Sequence, residues 1–250
     1  ATYVGWDFVN VWRIDEGESY PYLLELGSTQ VFTPSEVEIM EISSLEDLQK
    51  IGNDAAYPLD GDYELSSDID ASATRNWNGG AGFKPIGTEN SPFTGKFNGN
   101  GHKIVGLNIN RSGEDYVGLF GYVGAGGEVL NVGIESCKVI GRNYVGALIG
   151  MIRGGVVLNS YSSGTVEGNE HVGGLIGYVF GRVENSNSSV SVKGNGSYVG
   201  GLAGDNAGII LSNYSSGSVI GGGSYIGGLV GYNVGTVSDS NSSGSVIGGG

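Results

Sequence analysis

The sequence predicts an all-β chain: a parallel right-handed β-solenoid with coils of about 27 residues and one short capping helix. Three observations carry that expectation. First, the strings YVGLFG, YVGALIG, HVGGLIG, YVGGLAG and YIGGLVG begin at Tyr116, Tyr144, His171, Tyr198 and Tyr225, spaced 28 and then three times 27 residues apart. Second, each is followed by a related string: VVLNSYSSGTVEG from Val156, RVENSNSSVSVKG from Arg182, IILSNYSSGSVIG from Ile209 and TVSDSNSSGSVIG from Thr236. EVLNVGIESCKVIG from Glu128 is a degenerate first copy, so one unit occurs five times. Third, the units are Val/Ile/Ser/Thr/Tyr runs punctuated by Gly and Asn, which is strand-and-turn chemistry. A helical repeat would not tolerate glycine at that density.

Aligning the units produces columns of one residue type. Val145, Val172, Val199 and Ile226 form one, and Leu148, Leu175, Leu202 and Leu229 the next. Two longer columns are Val129, Val157, Val183, Ile210, Val237 and Val139, Val166, Val192, Val219, Val246. In a parallel solenoid each coil lies ~4.8 Å above the last, so such columns become continuous apolar ladders. Every buried Val or Leu then contributes about 1.5–3 kcal/mol. Two or three short strands per coil are expected, with glycines at corners that need positive φ or close backbone approach.

These residues carry a resemblance. VGGLIGY, VGGLAGDN and VGGLVGYN, each followed by a Ser/Asn-rich strand, resemble the GLUG repeat of large secreted adhesin-like and haemagglutinin-like surface proteins of bacteria and archaea. YPLDGDYELSSDIDAS, WNGGAGFKPIG and FTGKFNGNGHKIVGLNI look like the leader that precedes such arrays, and YVGWDFVNVWRIDEGESYPYL like the segment that closes them. The resemblance implies an extracellular, cell-surface β-solenoid and implies no catalytic activity.

Four regions follow in order. Residues 1–22 form a closing or plug segment, in which Val4, Trp6, Phe8 and Trp12 alternate onto one face of a strand. Here the closing segment stands first. Joining the two ends reads Val246-Ile247-Gly248-Gly249-Gly250, then Ala1-Thr2-Tyr3-Val4-Gly5, which restores the repeat register with one extra residue. The expectation is that Ala1–Ile14 completes the solenoid of the preceding unit, bringing Tyr3, Val4, Trp6, Phe8 and Trp12 against Val246, Ile247 and Gly248. That unit is a neighbouring copy or the adjacent block of a longer chain. The alternative is a cap strand folding back within its own chain, or an arbitrary boundary. Residues 23–40 read as an acidic linker. Residues 41–115 hold the capping helix and irregular opening coils: Ser43-Ser44-Leu45-Glu46 is a capping box, Leu45, Leu48 and Ile51 share a face, and Gly52 is a stop. Residues 116–250 are the five repeats.

Composition narrows the chemistry. Glycine accounts for 49 of 250 residues, and charged residues for only 15%. With 26 acidic and 12 basic side chains the net charge is −14, which disfavours nucleic acid or an anionic membrane as partner. No apolar run has the ~20 residues of a membrane helix, so membrane insertion is not expected. No amino-terminal signal peptide opens the sequence, which reads as a mature chain or a fragment. The lone Cys137 excludes a disulfide framework.

Asp60, Asp62, Glu64, Asp68 and Asp70 form a carboxylate cluster of the donor type Ca²⁺ takes, a weak candidate beside the plainer reading of turn residues and solvated strand edges, with no EF-hand or calcium-binding nonapeptide repeat present. No other cofactor is expected. His102 reads as turn support, and His171, which replaces Tyr in its column, as a surface repeat position. There is no HExxH, nucleophile elbow or phosphate loop, and Lys138, Arg142, Arg153, Arg182 and Lys193 fall in mismatched columns, so no enzyme is predicted. Columns Ser162, Ser188, Ser215, Ser242 and Ser163, Ser189, Ser216, Ser243 predict surface hydroxyl ladders, beside alternating Tyr161, Asn187, Tyr214 and Asn241. Such a face suits a glycan; simple solvated ladders are the plainer reading. N-x-Ser sequons stand at Asn110, Asn187, Asn195, Asn213 and Asn241 as candidate glycosylation acceptors. The predicted function is a unit of a surface fibre or adhesin extended head-to-tail, with a glycan-binding adhesin module, or an accessory domain of a larger secreted surface protein, as the alternative.

Overall fold

The computed structural model describes residues 38–249, together with the backbones of two short strands before them, Trp12–Arg13 and Tyr22–Leu23. The chain divides into two compact units, Ala1–Glu38 and Ile39–Gly250. In the first, Trp12–Arg13 pairs antiparallel with Tyr22–Leu23. The plug residues Tyr3, Val4, Trp6 and Phe8, and the side chain of Trp12, lie outside the described residues, as does most of the acidic stretch.

The second unit is an all-parallel β-solenoid whose principal path stacks eight strands, from Ile39–Ile42 at one end to Val230–Asn233 at the other. Three walls enclose it. The first contains Ile149–Leu158 and Ile176–Glu184, the second Tyr161–Gly168 and its equivalents, and the third the short strands Asn143–Val145, Glu170–Gly173, Val199–Gly200 and Ile226–Gly227. A coil of the array carries five short strands, more than the two or three expected: Val199–Gly200, Ala203–Asn206, Ile209–Leu211, Tyr214–Ser215 and Val219–Gly221. Extra corners break the first and second walls, which carry two strands per coil, while the third carries one.

The apolar columns stack as the alignment of units predicts. Val129 pairs with Val157, Val157 with Val183, Val183 with Ile210, and Ile210 with Val237. Val139, Val166, Val192, Val219 and Val246 form a second unbroken register. Leu148, Leu175 and Leu202 each donate a backbone N–H to the leucine carbonyl of the following coil. The opening coils are bulkier inside. There Tyr63, Phe83, Phe93, Phe97 and Phe120 are fully buried, with Phe120 tilted 5.0 Å from Phe93 and edge-on 5.3 Å from Phe97.

The helix spans Leu45–Lys50, with Leu45, Leu48 and the following Ile51 buried in the same core. Its cap lies one residue later than the capping box predicts. Ser44, not Ser43, is the N-cap; its hydroxyl accepts from the Asp47 N–H at 3.1 Å and donates to the Asp47 carboxylate at 2.7 Å. Gly52 then turns with φ +71°.

Corners depart from expectation. Two columns of residues other than glycine hold positive φ: Tyr116, Tyr144, His171, Tyr198 and Tyr225 at 53–63°, and Asn131, Asn159, Asn185, Ser212 and Asp239 at 50–57°. Asn and Asp tolerate this region locally, whereas Tyr does not by itself. The tyrosines are held by stacking on one another through successive coils. Most repeat glycines serve close approach instead. A Cβ on Gly173 would enter the Ile176 carbonyl, and one on Gly217 the Val190 carbonyl.

Candidate functional site

Four features bear on function, and each departs in part from the sequence reading. The carboxylates of the opening coils are not gathered. Glu64 accepts from the amides of Asn98 and Asn100 at 3.1 Å each, Asp68 from the Lys103 N–H at 3.2 Å, and Asp70 from the Ser72 N–H at 2.9 Å. Asp60, Asp68 and Asp70 are exposed, and Asp62 and Glu64 half-buried on Asp62–Leu65. Among the described residues no three Asp, Glu, His or Cys side chains converge on a metal-sized site. The weak Ca²⁺ candidates are thus not gathered: Asp62 and Glu64 lie on the first wall, Asp70 on the second, and turn bonds hold Asp68 and Asp70, which matches the plainer reading of turn residues and strand edges. Asp68 is held below the usual carboxylate range by the Lys103 N–H and by His102, 3.1 Å away.

The second feature is an aromatic ladder at the corner leading into the third wall. Tyr116, Tyr144, His171, Tyr198 and Tyr225 stack with centroids 4.9, 4.6, 4.5 and 5.2 Å apart. Tyr122, Tyr178 and Tyr232 meet it edge-on, in a column where two coils carry Met151 and Asp205 instead. His171 is thus no open surface position: its side chain is 16% exposed, and Nδ1 lies 3.4 Å from the buried Asp205 carboxylate. The histidine and the aspartate each replace a tyrosine of their column, and they replace it where they meet. A ladder of this kind is invisible when each coil is read separately, although the column of Tyr starts was its signal.

The third feature is the serine ladders. Registers align Ser162, Ser188, Ser215 and Ser242 as predicted, but the first three point inward and are buried, which corrects their assignment to the surface. They face the coil interior across from glycines: a Cβ on Gly174 would meet Ser188 Oγ, and one on Gly201 Ser215 Oγ. Beside them runs a second buried polar column that the sequence reading missed. Ser160 Oγ accepts from the Val132 N–H at 3.3 Å, Ser186 Oγ from Ser160 at 3.1 Å, Asn213 Oδ1 from Ser186 at 2.8 Å, and Ser240 Oγ from Asn213 at 2.9 Å. Asn213 also donates to the Val183 and Leu211 carbonyls. With its amide so occupied and 2% exposed, Asn213 is no glycosylation acceptor in the folded chain. Asn110, Asn187, Asn195 and Asn241 are exposed.

The fourth is the outer face of the second wall. Tyr161, Asn187, Tyr214 and Asn241 stand in register and exposed, flanked by Ser163, Ser189, Ser216 and Ser243, of which Ser163 is half-buried. The Tyr161 ring lies across Gly133 of the coil before, its hydroxyl donating to Glu135 at 2.9 Å. Burial and that carboxylate push the phenol up to about 12. The Tyr214 hydroxyl bonds Ser243 of the coil after. At the far end, Val246, Ile247 and Gly248 lie in an exposed strand pairing with Val219, Ile220 and Gly221. Cys137 is buried, its thiol pushed up to about 12 by desolvation.

The model of the GLUG motif matches residues 168–193 and 222–247, two stretches that each begin at the close of one second-wall strand and run through the next coil. Two coils of the chain thus match the GLUG motif. Halomucin of Haloquadratum walsbyi is 44% identical over 129 residues, half of this chain and 1% of halomucin. A protein of Evansella cellulosilytica, provisionally named a Gly-rich membrane protein, is 38% identical over 92 residues, 37% of this chain and 10% of that protein. The chain therefore spans a small fraction of the curated relatives it matches, with whose surface-type character the GLUG coils are consistent. Among solved structures, a Bacteroides ovatus protein provisionally named an immunoglobulin A1 protease superposes with a TM-score of 0.64 over 86% of this chain and 72% of its own. At 20% identity that likeness concerns the solenoid fold alone. No helix of the described residues is long and apolar enough to cross a membrane.

Proposed function

We propose that these GLUG coils form a non-enzymatic, extracellular segment of a cell-surface fibre or adhesin, lengthened by continuing the solenoid into further coils of the same pattern. The observation that carries this reading is the state of the last described coil. Val237 and Val246 are 36% and 43% exposed, whereas Ile210 and Val219, one coil earlier in the same columns, are fully buried. Strand Val246–Gly248 pairs with Val219–Gly221 on one side and leaves its other edge open among the described residues. Apolar columns and a free parallel edge together are a template for another coil. A neighbouring copy or the adjacent block of a longer chain supplies the same chemistry, and the plug residues Tyr3, Val4, Trp6 and Phe8 have the aromatic content to fill it. The relatives, a halomucin and a Gly-rich membrane protein, support a structural surface role over a catalytic one.

Electron microscopy of the purified chain tests the head-to-tail form. Eight coils advance a fibre by roughly 40 Å at ~4.8 Å each, so a layer line near that spacing is expected. Trp6→Asp with Phe8→Asp, and separately Val237→Lys with Val246→Lys, should each abolish the fibres while the chain stays folded. Discrete particles at every concentration would overturn head-to-tail assembly.

A further inference from the structure

The outer face of the second wall has a chemistry that continuation of the solenoid does not use. Its centre is uncharged, although the chain as a whole carries a net −14. The charged neighbours are the Lys103–Glu135 pair, 3.0 Å apart, and Lys138 at one end, with Glu167 and Lys193 along the margin. Within it Tyr161 and Tyr214 are 36% and 37% exposed, two coils apart, with Asn187 between them and Asn241 beyond. Both rings are tied down by their hydroxyls, one to Glu135 of the preceding coil and the other to Ser243 of the following one. Tyr161 lies along the sheet over Gly133 of the coil before, while the Tyr214 hydroxyl reaches the coil after, so the two part-exposed rings lean away from each other along the wall. Their backbones are two coils, roughly 10 Å, apart, and the opposite lean sets the rings further apart than that. That separation exceeds one disaccharide of an extended β-linked chain and is spanned by an oligosaccharide of several sugar rings.

We infer that this face binds a neutral, extended β-linked polysaccharide running along the solenoid axis, with sugar rings stacked on Tyr161 and Tyr214 and hydroxyls bonded by Asn187 and Asn241. Sugar C–H faces are apolar and their edges carry hydroxyls, so aromatic and amide contacts suit both parts of a sugar chain. A polyanion finds Lys103 already paired with Glu135, and Lys193 in register with Glu167 at the margin. The centre lacks the cations that a phosphate or sulfate chain requires. The inference is independent of whether coils assemble head-to-tail, because the second wall is lateral to the solenoid ends.

The test is native gel electrophoresis through hydroxyethylcellulose, with titration of cellohexaose as the soluble measure. Retardation of the unmodified chain is expected. Tyr161→Ala and Tyr214→Ala should each weaken binding about tenfold, in line with loss of one aromatic contact, and the double variant should migrate freely. Tyr161→Phe with Tyr214→Phe keeps both rings and should keep most of the binding. Ser189→Glu places a bulky charge on the exposed centre without touching the core, and should abolish binding in a chain that melts normally. Phe180→Ala removes an exposed aromatic from another wall and should change nothing. An unretarded native chain, or a double alanine variant that binds as tightly as the original, would overturn the inference.

Discussion

Two inward serines of the array differ in what they hold. Ser186 Oγ accepts from the buried Ser160 N–H at 3.1 Å and donates to the Glu184 carbonyl at 2.9 Å. Ser215 Oγ is buried without a hydrogen-bond partner among the described residues. Ser186→Ala therefore strands a buried donor and is expected to cost about 1–3 kcal/mol, whereas Ser215→Ala removes a desolvated hydroxyl and should be neutral or stabilising. Urea denaturation of the two variants decides it; equal losses would contradict this account of the column. The same scale explains what a single coil does not disclose. Ser188 and Ser189 are adjacent and identical, and only the pleat sends one inside and the other out. The alternation was there to read, but the Ser-Ser string fits either phase, and the inward phase is set by Gly174 making room across the coil.

At the scale of elements, neighbouring coils are clipped at their corners by carboxylates. Asp115 receives Arg142 at 2.7 and 2.6 Å and the Asn143 N–H at 3.1 Å, so that guanidinium, with the amide, holds its carboxyl below the usual 3.8. Glu135 is likewise held below 4.5, by Lys103 first and then Tyr161. A carboxyl whose folded value is depressed stabilises the fold above its unfolded value, and that contribution is lost as pH falls through the lowered folded value. The melting temperature is expected to be level above about pH 5 and to fall below about pH 4. Asp115→Asn should flatten the acid limb, by an amount limited by the exposure of these pairs. A melting temperature independent of pH down to strong acid would contradict the clip. The capping helix was also readable, through Leu45, Leu48 and Ile51, but its start was not. Ser43 and Ser44 are equivalent N-caps in sequence, and the Asp47 side chain rather than Glu46 answers the chosen one. Which serine caps depends on how the helix docks on the core.

For the whole molecule, the repeated register makes stability close to a sum over coils and their nearest-neighbour interfaces. Excising residues 171–197 joins Glu170 to Tyr198 and preserves every column, so the shortened chain should keep its parallel-β circular dichroism and fold with a smaller urea m-value. A deletion starting ten residues later still removes 27 residues but joins different sequence to the same walls, and should fold equally well. Loss of structure in either would mean that the array depends on its individual coils rather than on the repeat. One candidate for such individuality is His171 beside Asp205, and both deletions dissolve that pair.

The sequence by itself determined the solenoid, the period, the apolar columns and the GLUG character, because stacked parallel coils impose one residue type on each column and columns survive as a fixed spacing. Only the tertiary structure decided what faces in, what meets across coils and which polar groups are taken. The buried serines, the occupied Asn213, the separated carboxylates and the His171–Asp205 pair inside the tyrosine ladder all depend on how strands and coils come together in space, at separations that the repeat spacing does not set. A repeat tells which residues share a column. It does not tell on which side of the pleat that column lies, and burial, not spacing, separates a core ladder from a binding face.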